Sequence, residues 1–175
     1  MRLIKVALAG NPNSGKSTVF NALTGSRQHV GNWPGKTVEH KFGHFSHNGY
    51  SIEVTDLPGA YSLTAFSEEE SIARDFILEG RADIVVAVVD ASTLERNLYL
   101  VTQILELQAR LILALNMSDK AEKLGYGIDI DVLSDLLAGV PVIRMVAIRG
   151  EGIEELRDTV VSFAEHLIDT ETVAT

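Results

Sequence analysis

At 175 residues and 46% hydrophobic, the chain has the size and apolar content of one compact domain and is too short for two ordinary ones. Its net charge of −9 argues against a nucleic-acid groove, because binding a polyanion needs a basic face that releases counterions. The lack of cysteine excludes disulfides and thiolate metal sites, and no apolar run approaches the roughly 18 residues of a membrane span, so a soluble domain of a reducing compartment is expected.

Residues 2–9 (RLIKVALA) are short, apolar and β-branched, a pattern that suits a strand buried on both faces. They begin at once, without the basic and apolar pattern of a secretory signal. The strand runs into residues 10–17 (GNPNSGKS), after which Val19, Phe20 and Leu23 share one side of a helix. Residues 38–46 and 50–56 flank Asn48-Gly49 and predict an antiparallel hairpin. Ser67 with Glu70 makes a capping box for a helix through about Leu78, with Ile72 and Phe76 on one face. Residues 84–89 and 110–115 read as two more buried strands, separated by a helix carrying Leu94, Leu98, Val101 and Leu105. A last strand over 140–146 precedes a helix with Ile153, Leu156, Val160, Phe163 and Leu167, and residues 169–175 read as an unstructured tail. The order β-α-β-β-α-β-α-β-α-β-α predicts an α/β fold: a six-stranded, mostly parallel sheet with one antiparallel edge strand and five flanking helices.

Residues 10–17 are the G-x-x-x-x-G-K-S phosphate loop in its strand-loop-helix setting. Gly10, Asn11, Pro12, Asn13, Ser14 and Gly15 turn backbone N–H groups toward phosphate oxygens, and the helix start at Lys16, Ser17 and Thr18 adds partial positive charge. Lys16 is expected to reach the β- and γ-phosphates, and Ser17 to offer its hydroxyl to Mg²⁺. At the end of the second hairpin strand stands a D-x-x-G, whose Asp56 can hold a Mg²⁺ water and whose Gly59 N–H can sense the γ-phosphate. Asn116-Met117-Ser118-Asp119 resembles the N-K-x-D motif of GTPases. An aspartate there accepts from guanine N1–H and the 2-amino group together, so Asp119 is expected to specify the base. Met117 replaces the usual lysine, which predicts a lost tie to the phosphate loop, weaker binding and faster release. Val146-Ala147-Ile148 resembles the S-A-x loop, of which only the Ala147 backbone N–H, capping guanine O6, carries over. These motifs make residues 1–168 a P-loop GTPase (Ras-like) domain, with the nucleotide at the C-terminal ends of the parallel strands.

Taken together, GNPNSGKS, VGNWPGKTVE (30–39), DLPGAYSL (56–63) and NMSD resemble the ferrous-iron transport protein B (FeoB) family over nearly the whole chain. The resemblance implies a cytosolic GTPase domain of an inner-membrane ferrous-iron transporter, with residues 169–175 starting the connection to a helical and membrane portion. It makes Thr37 the switch I ligand of Mg²⁺ and places Gly35 and Lys36 beside the nucleotide. It also implies a K⁺ held by Asn13 and by the carbonyls of Gly31 and Trp33, so that Lys16, Thr37 and Asn13 form the catalytic set. Ala60 follows Gly59 where many GTPases place a water-orienting glutamine, and no glutamine neighbours the segment, so turnover should be slow. The implied partners are GTP and GDP, the transport portion of the same polypeptide, and a second copy of the chain if it self-associates. Nucleic acid is not among them. Two alternatives are a free-standing soluble GTPase of ribosome-assembly or tRNA-modification type and a nucleotide-gated interaction module with negligible turnover. His40 and His44 share a strand face while His47 points away, which speaks against a transition-metal site. Trp33 is read either as an exposed aromatic or as a shield over the cation site, and Glu68, Glu69 and Glu70 as a helix first turn favoured by the dipole.

Overall fold

The computed structural model describes residues 2–173. Four apolar strands form the centre: β1 (Arg2–Gly10), β4 (Tyr50–Asp56), β5 (Ile84–Asp90) and β6 (Leu111–Asn116). They run parallel in the order β4-β1-β5-β6. Because side chains alternate with period two, Val85, Ala87 and Val89 enter one core layer while Ile84, Val86 and Val88 enter the other. Helices α2 (Glu68–Leu78) and α3 (Leu94–Glu106) cover the first layer. Helices α1 (Lys16–Thr24) and α6 (Ile153–Val173) cover the second.

The mixed architecture is the expected one, but the sheet has seven strands rather than six, in the order β2-β3-β4-β1-β5-β6-β7. The additional strand is β2 (Gln28–Asn32), antiparallel to β3 (Glu39–His47), so two antiparallel strands instead of one form that edge. Its sequence, QHVGN, has no apolar alternation and its residues are largely exposed, which is why periodicity does not reveal it. At the other edge β7 (Val142–Arg144) is shorter than residues 140–146 suggest. The connection from β6 to β7 holds two helices, α4 (Ser118–Lys123) and α5 (Ile130–Leu136), which raises the count from five to six α-helices among the described residues. The Asp129 carboxylate caps α5, accepting from the Asp131 and Val132 N–H groups at 3.0 and 3.1 Å.

Helix α6 continues through Val173, so residues 169–173 are helical where the sequence reads as unstructured. No glycine or proline stops the helix there, and each added residue gains one backbone bond. Residues 174 and 175 of the expected tail lie outside the described residues, as does the side chain of Leu167.

Candidate nucleotide site

The loop after β1 delivers its residues at the C-terminal end of the sheet. Gly15 is the N-cap of α1 at φ 90° and carries no side chain to cap the helix. The helix therefore begins with amide donors unclaimed by a cap and with no acidic residue in its first turn, the arrangement that suits a bound anion. Helix α2 contrasts with it, because the Ser67 hydroxyl accepts the Glu70 N–H at 3.1 Å. Gly15 is required sterically as well: a Cβ there would lie 2.1 Å from Asn116 Nδ2. Ser14 Oγ and Asn11 Oδ1 are buried without a hydrogen-bond partner among the described residues, polar groups that a phosphate loop leaves for its ligand.

Lys16, Ser17, Asp56 and Gly59 line a single cavity of about 280 Å³. Lys16 Nζ donates to the Asp56 carboxylate, with both side chains at least nine-tenths buried, so the phosphate-loop lysine and the expected metal carboxylate meet directly. A hydroxyl and a carboxylate facing one cavity are hard oxygen donors, and this set fits Mg²⁺. Glu39, Lys41 and Glu69 also line this cavity; sequence reasoning does not single out any of them for it. Lys41 stands opposite Asp56 in the β3–β4 ladder and pairs with Glu39 at 2.8 Å, a placement that becomes visible only with the register. The Glu39 bond, as the largest cause, holds the Lys41 ammonium above its usual range.

Thr37 is exposed and does not line this cavity. The segment is held by a turn in which Lys36 N–H donates to the Trp33 carbonyl at 2.9 Å, and by an ion pair from Lys36 to Glu68 at 3.6 Å. Gly35 is at the tip of that turn with φ 70°. Trp33 is buried and not an exposed aromatic. It is 5% exposed, and its ring lies 4.0 Å from His40 and 5.7 Å from Phe76 of α2. The proposed K⁺ donors are likewise not assembled, since the Trp33 carbonyl closes the turn and Gly31 pairs with His40 in the β2–β3 ladder. Asn13 is exposed at φ 65°, a left-handed conformation that asparagine tolerates, so the backbone alone accounts for its identity.

Ala60 is buried, and its N–H donates to the Gly10 carbonyl at 3.1 Å, which pins the D-x-x-G segment to the phosphate loop. A glutamine does reach the following segment: Gln103 of α3 accepts the Leu63 N–H at 2.7 Å. The 40-residue separation hides this contact from the sequence, and the amide oxygen is already engaged. Glu70 does more than fill a first turn, accepting from Ser62, Thr64 and the Phe66 N–H, each at 3.1 Å.

The base loops meet at Asn116, which is 3% exposed. Its amide nitrogen donates to the Ser14 carbonyl at 3.1 Å, and its oxygen accepts the Ala147 N–H at 3.0 Å. The Ala147 donor assigned to guanine O6 is thus directed at Asn116. Met117 adopts φ 57°, and its Cε would lie 3.7 Å from a Cβ on Gly15. The methionine therefore lies beside the phosphate loop, apolar where a lysine would be charged. Asp119 lines a cavity of about 270 Å³ with Ser118, Met145 and Val146, while Ile148 is exposed beside it. Arg149, which the motif reading passes over, places Nη2 3.1 Å from Asp119 Oδ2. A larger cavity of about 920 Å³ between residues 91–99 and 125–128 contains none of the expected nucleotide residues.

The histidines separate as their strand positions require. His40 and His44 flank Phe42 in one row of rings, which His29 of β2 joins by stacking on Phe42 at 4.9 Å. His47 turns to α6, with Nε2 2.6 Å from Asp158 Oδ1.

Residues 4–160 match the family model described as ferrous iron transport protein B. The chain is 55% identical over 161 residues to the Fe(2+) transporter FeoB of Escherichia coli K12, covering 90% of this chain and 21% of that protein. It therefore spans about a fifth of the length of the curated relatives it matches. Among solved structures it is similar to the G domain of the T. maritima FeoB iron transporter, at 48% identity and TM-score 0.87 over 93% of this chain and 99% of that one. The T. maritima cytosolic domain in a GMPPNP form matches at 50% identity and TM-score 0.87, over 91% of this chain and 63% of that one.

Proposed function

The chain belongs to the ferrous iron transport protein B family as a GTPase-type domain, and on that premise we propose that it binds GTP and GDP with Mg²⁺ and hydrolyses GTP slowly. The observation that carries this reading is the convergence of Lys16, Ser17, Asp56 and Gly59 on one cavity beside an uncapped helix N-terminus. Ser17 and Asp56 would hold Mg²⁺, the latter through a water, and the ion when bound supplies charge neutralisation between phosphate oxygens. Lys16 exchanges the Asp56 carboxylate for phosphate oxygens, while the Gly59 N–H marks the γ-phosphate. Thr37 would add a hydroxyl to the metal's oxygen donors if the turn between Trp33 and Lys36 opened, which makes that segment the proposed switch. With a buried Ala60, no side chain at that position orients water, which supports slow turnover. The whole protein is then an inner-membrane ferrous-iron transporter, with this domain on its cytoplasmic side and residues 169–175 leading toward its remaining parts. The family match favours this over a free-standing ribosome-assembly or tRNA-modification GTPase.

Single-turnover hydrolysis of GTP with Mg²⁺, beside the same measurement in EDTA, tests the reading. Slow release of phosphate in Mg²⁺ alone is expected, and equal rates in both would overturn it. Stimulation by K⁺ through Asn13 belongs to the same proposal and requires switch I to leave its present turn. Turnover in KCl against NaCl, for wild type and Asn13→Ala, decides it, with equal wild-type rates rejecting a K⁺ role.

A further inference from the structure

We infer that Arg149 is an internal competitor of guanine for Asp119 and thereby modulates the affinity and association rate of the nucleotide, an inference that rests on the guanine-nucleotide reading above. A guanidinium and the N1–H/2-amino edge of guanine are alike in chemistry: each presents adjacent N–H donors to a carboxylate. Arg149 Nη2 already forms an ion pair with Asp119 Oδ2 at 3.1 Å. The base needs both carboxylate oxygens for its two donors, so Arg149 and guanine make claims on the same oxygen.

The surrounding backbone keeps Arg149 at this post. The 3-10 turn Ala147–Arg149 is closed by the Arg149 N–H on the Val146 carbonyl at 2.9 Å, and Val146 and Glu151 exchange backbone bonds at 3.1 and 3.2 Å. Only the side chain is left to move, and at 54% exposure it is not locked by packing. Glu151 provides the place to which it withdraws: its Oε1 lies 3.4 Å from Arg149 Nε, and it lines the same cavity. Displacement by guanine therefore costs one partly exposed ion pair and leaves the guanidinium paired. Such a pair supports an effect of about two- to fivefold, a modulation of affinity and not a block.

The test is stopped-flow association and dissociation of fluorescent GDP with wild type, Arg149→Ala, Arg149→Lys and Glu151→Ala. Arg149→Ala is expected to tighten GDP by about two- to fivefold, mainly through faster association, while Arg149→Lys stays near wild type because the charge remains. Glu151→Ala, which removes the retreat, weakens GDP by about twofold. Raising salt from about 0.05 to 0.5 M screens the competing pair, so wild type gains on Arg149→Ala. In an Asp119→Asn background with xanthosine diphosphate as probe, Arg149→Ala has no effect, since the carboxylate in dispute is gone. Binding to Arg149→Ala that is equal to or weaker than wild type overturns the inference. Failure of wild type itself to bind GDP would instead reject the guanine reading, so the two failures are distinct.

Discussion

The Asn116 side-chain amide donates to the Ser14 carbonyl at 3.1 Å, so one buried residue joins the base loop to the phosphate loop across the tops of β6 and β1. Its oxygen takes the Ala147 N–H, which brings the loop after β7 into the same junction. Asn116→Ala leaves two backbone groups without partners, and each buried orphan costs about 1–3 kcal/mol. We expect a stability loss of about 2–4 kcal/mol in urea denaturation, with at least tenfold weaker GDP binding. Gly15→Ala strikes the same junction from the other side, because its Cβ would meet the Asn116 amide at 2.1 Å and the backbone there is left-handed. Retained GDP affinity in both variants would show that the junction does not hold the site in shape.

Lys16 has an internal partner in Asp56 and a chemical task at the phosphates. Lys16→Met is expected to lower single-turnover hydrolysis by roughly 10²–10³, the scale of one lost transition-state donor. Circular dichroism should still show the fold, since the methionine fills the lysine stem's volume, but the melting temperature should fall because the buried Asp56 carboxylate loses its partner. A loss below tenfold would remove Lys16 from the catalytic set.

Ala60→Gln supplies the residue that other GTPases carry at this position, yet no gain in turnover is expected. The position is 4% exposed and its N–H is bound to Gly10, so the longer side chain enters a filled space instead of facing a nucleophilic water. Overpacking should cost about 1–3 kcal/mol. A faster enzyme by phosphate-release assay would show that the segment rotates in a way this structure does not anticipate.

Burial first, and then the positive charge of Arg81, hold His40 below the ordinary histidine range. The folded state thus favours the neutral ring, and as pH falls the unfolded chain takes the proton first. Stability is retained above about pH 6.5, declines as pH drops from there, and levels off below the folded value. His40→Gln should remove this part of the acid loss in thermal melts. Trp33 is the sole tryptophan and lies 4.0 Å from His40, so its fluorescence should titrate with a midpoint below 6.5 in wild type and not in the variant.

The phosphate loop, the D-x-x-G and the N-M-S-D stretch were legible in the sequence because each is a short stretch of chain placed after a strand. The strands carried by apolar runs were legible for the same reason. What stayed hidden depends on contacts between distant residues. β2 is polar and is held by its ladder, by the His29–Phe42 stack and by Gln28 bonds to Asn21 and Gly25, Lys41 reaches the cavity of Lys16 and Ser17 through register with Asp56, and Arg149 of the 3-10 turn meets Asp119 at the start of α4. Trp33 reads as an exposed aromatic or a cation shield in a glycine- and proline-rich segment, yet its large ring packs on Phe76 in a core layer. Motifs name ligands; they do not say which internal groups already hold those ligands' partners.

β2 ends at Asn32, one residue before Trp33, and its other long side is an unpaired edge of the sheet. Traction on the following segment therefore meets a ribbon fastened along one margin and almost free of core contacts. Peeling it away from β3 would break a few ladder bonds in succession, leaving the four parallel strands undisturbed. The sheet therefore yields first at this outer seam, and the yielding stops at Trp33, whose ring is anchored in the core against Phe76.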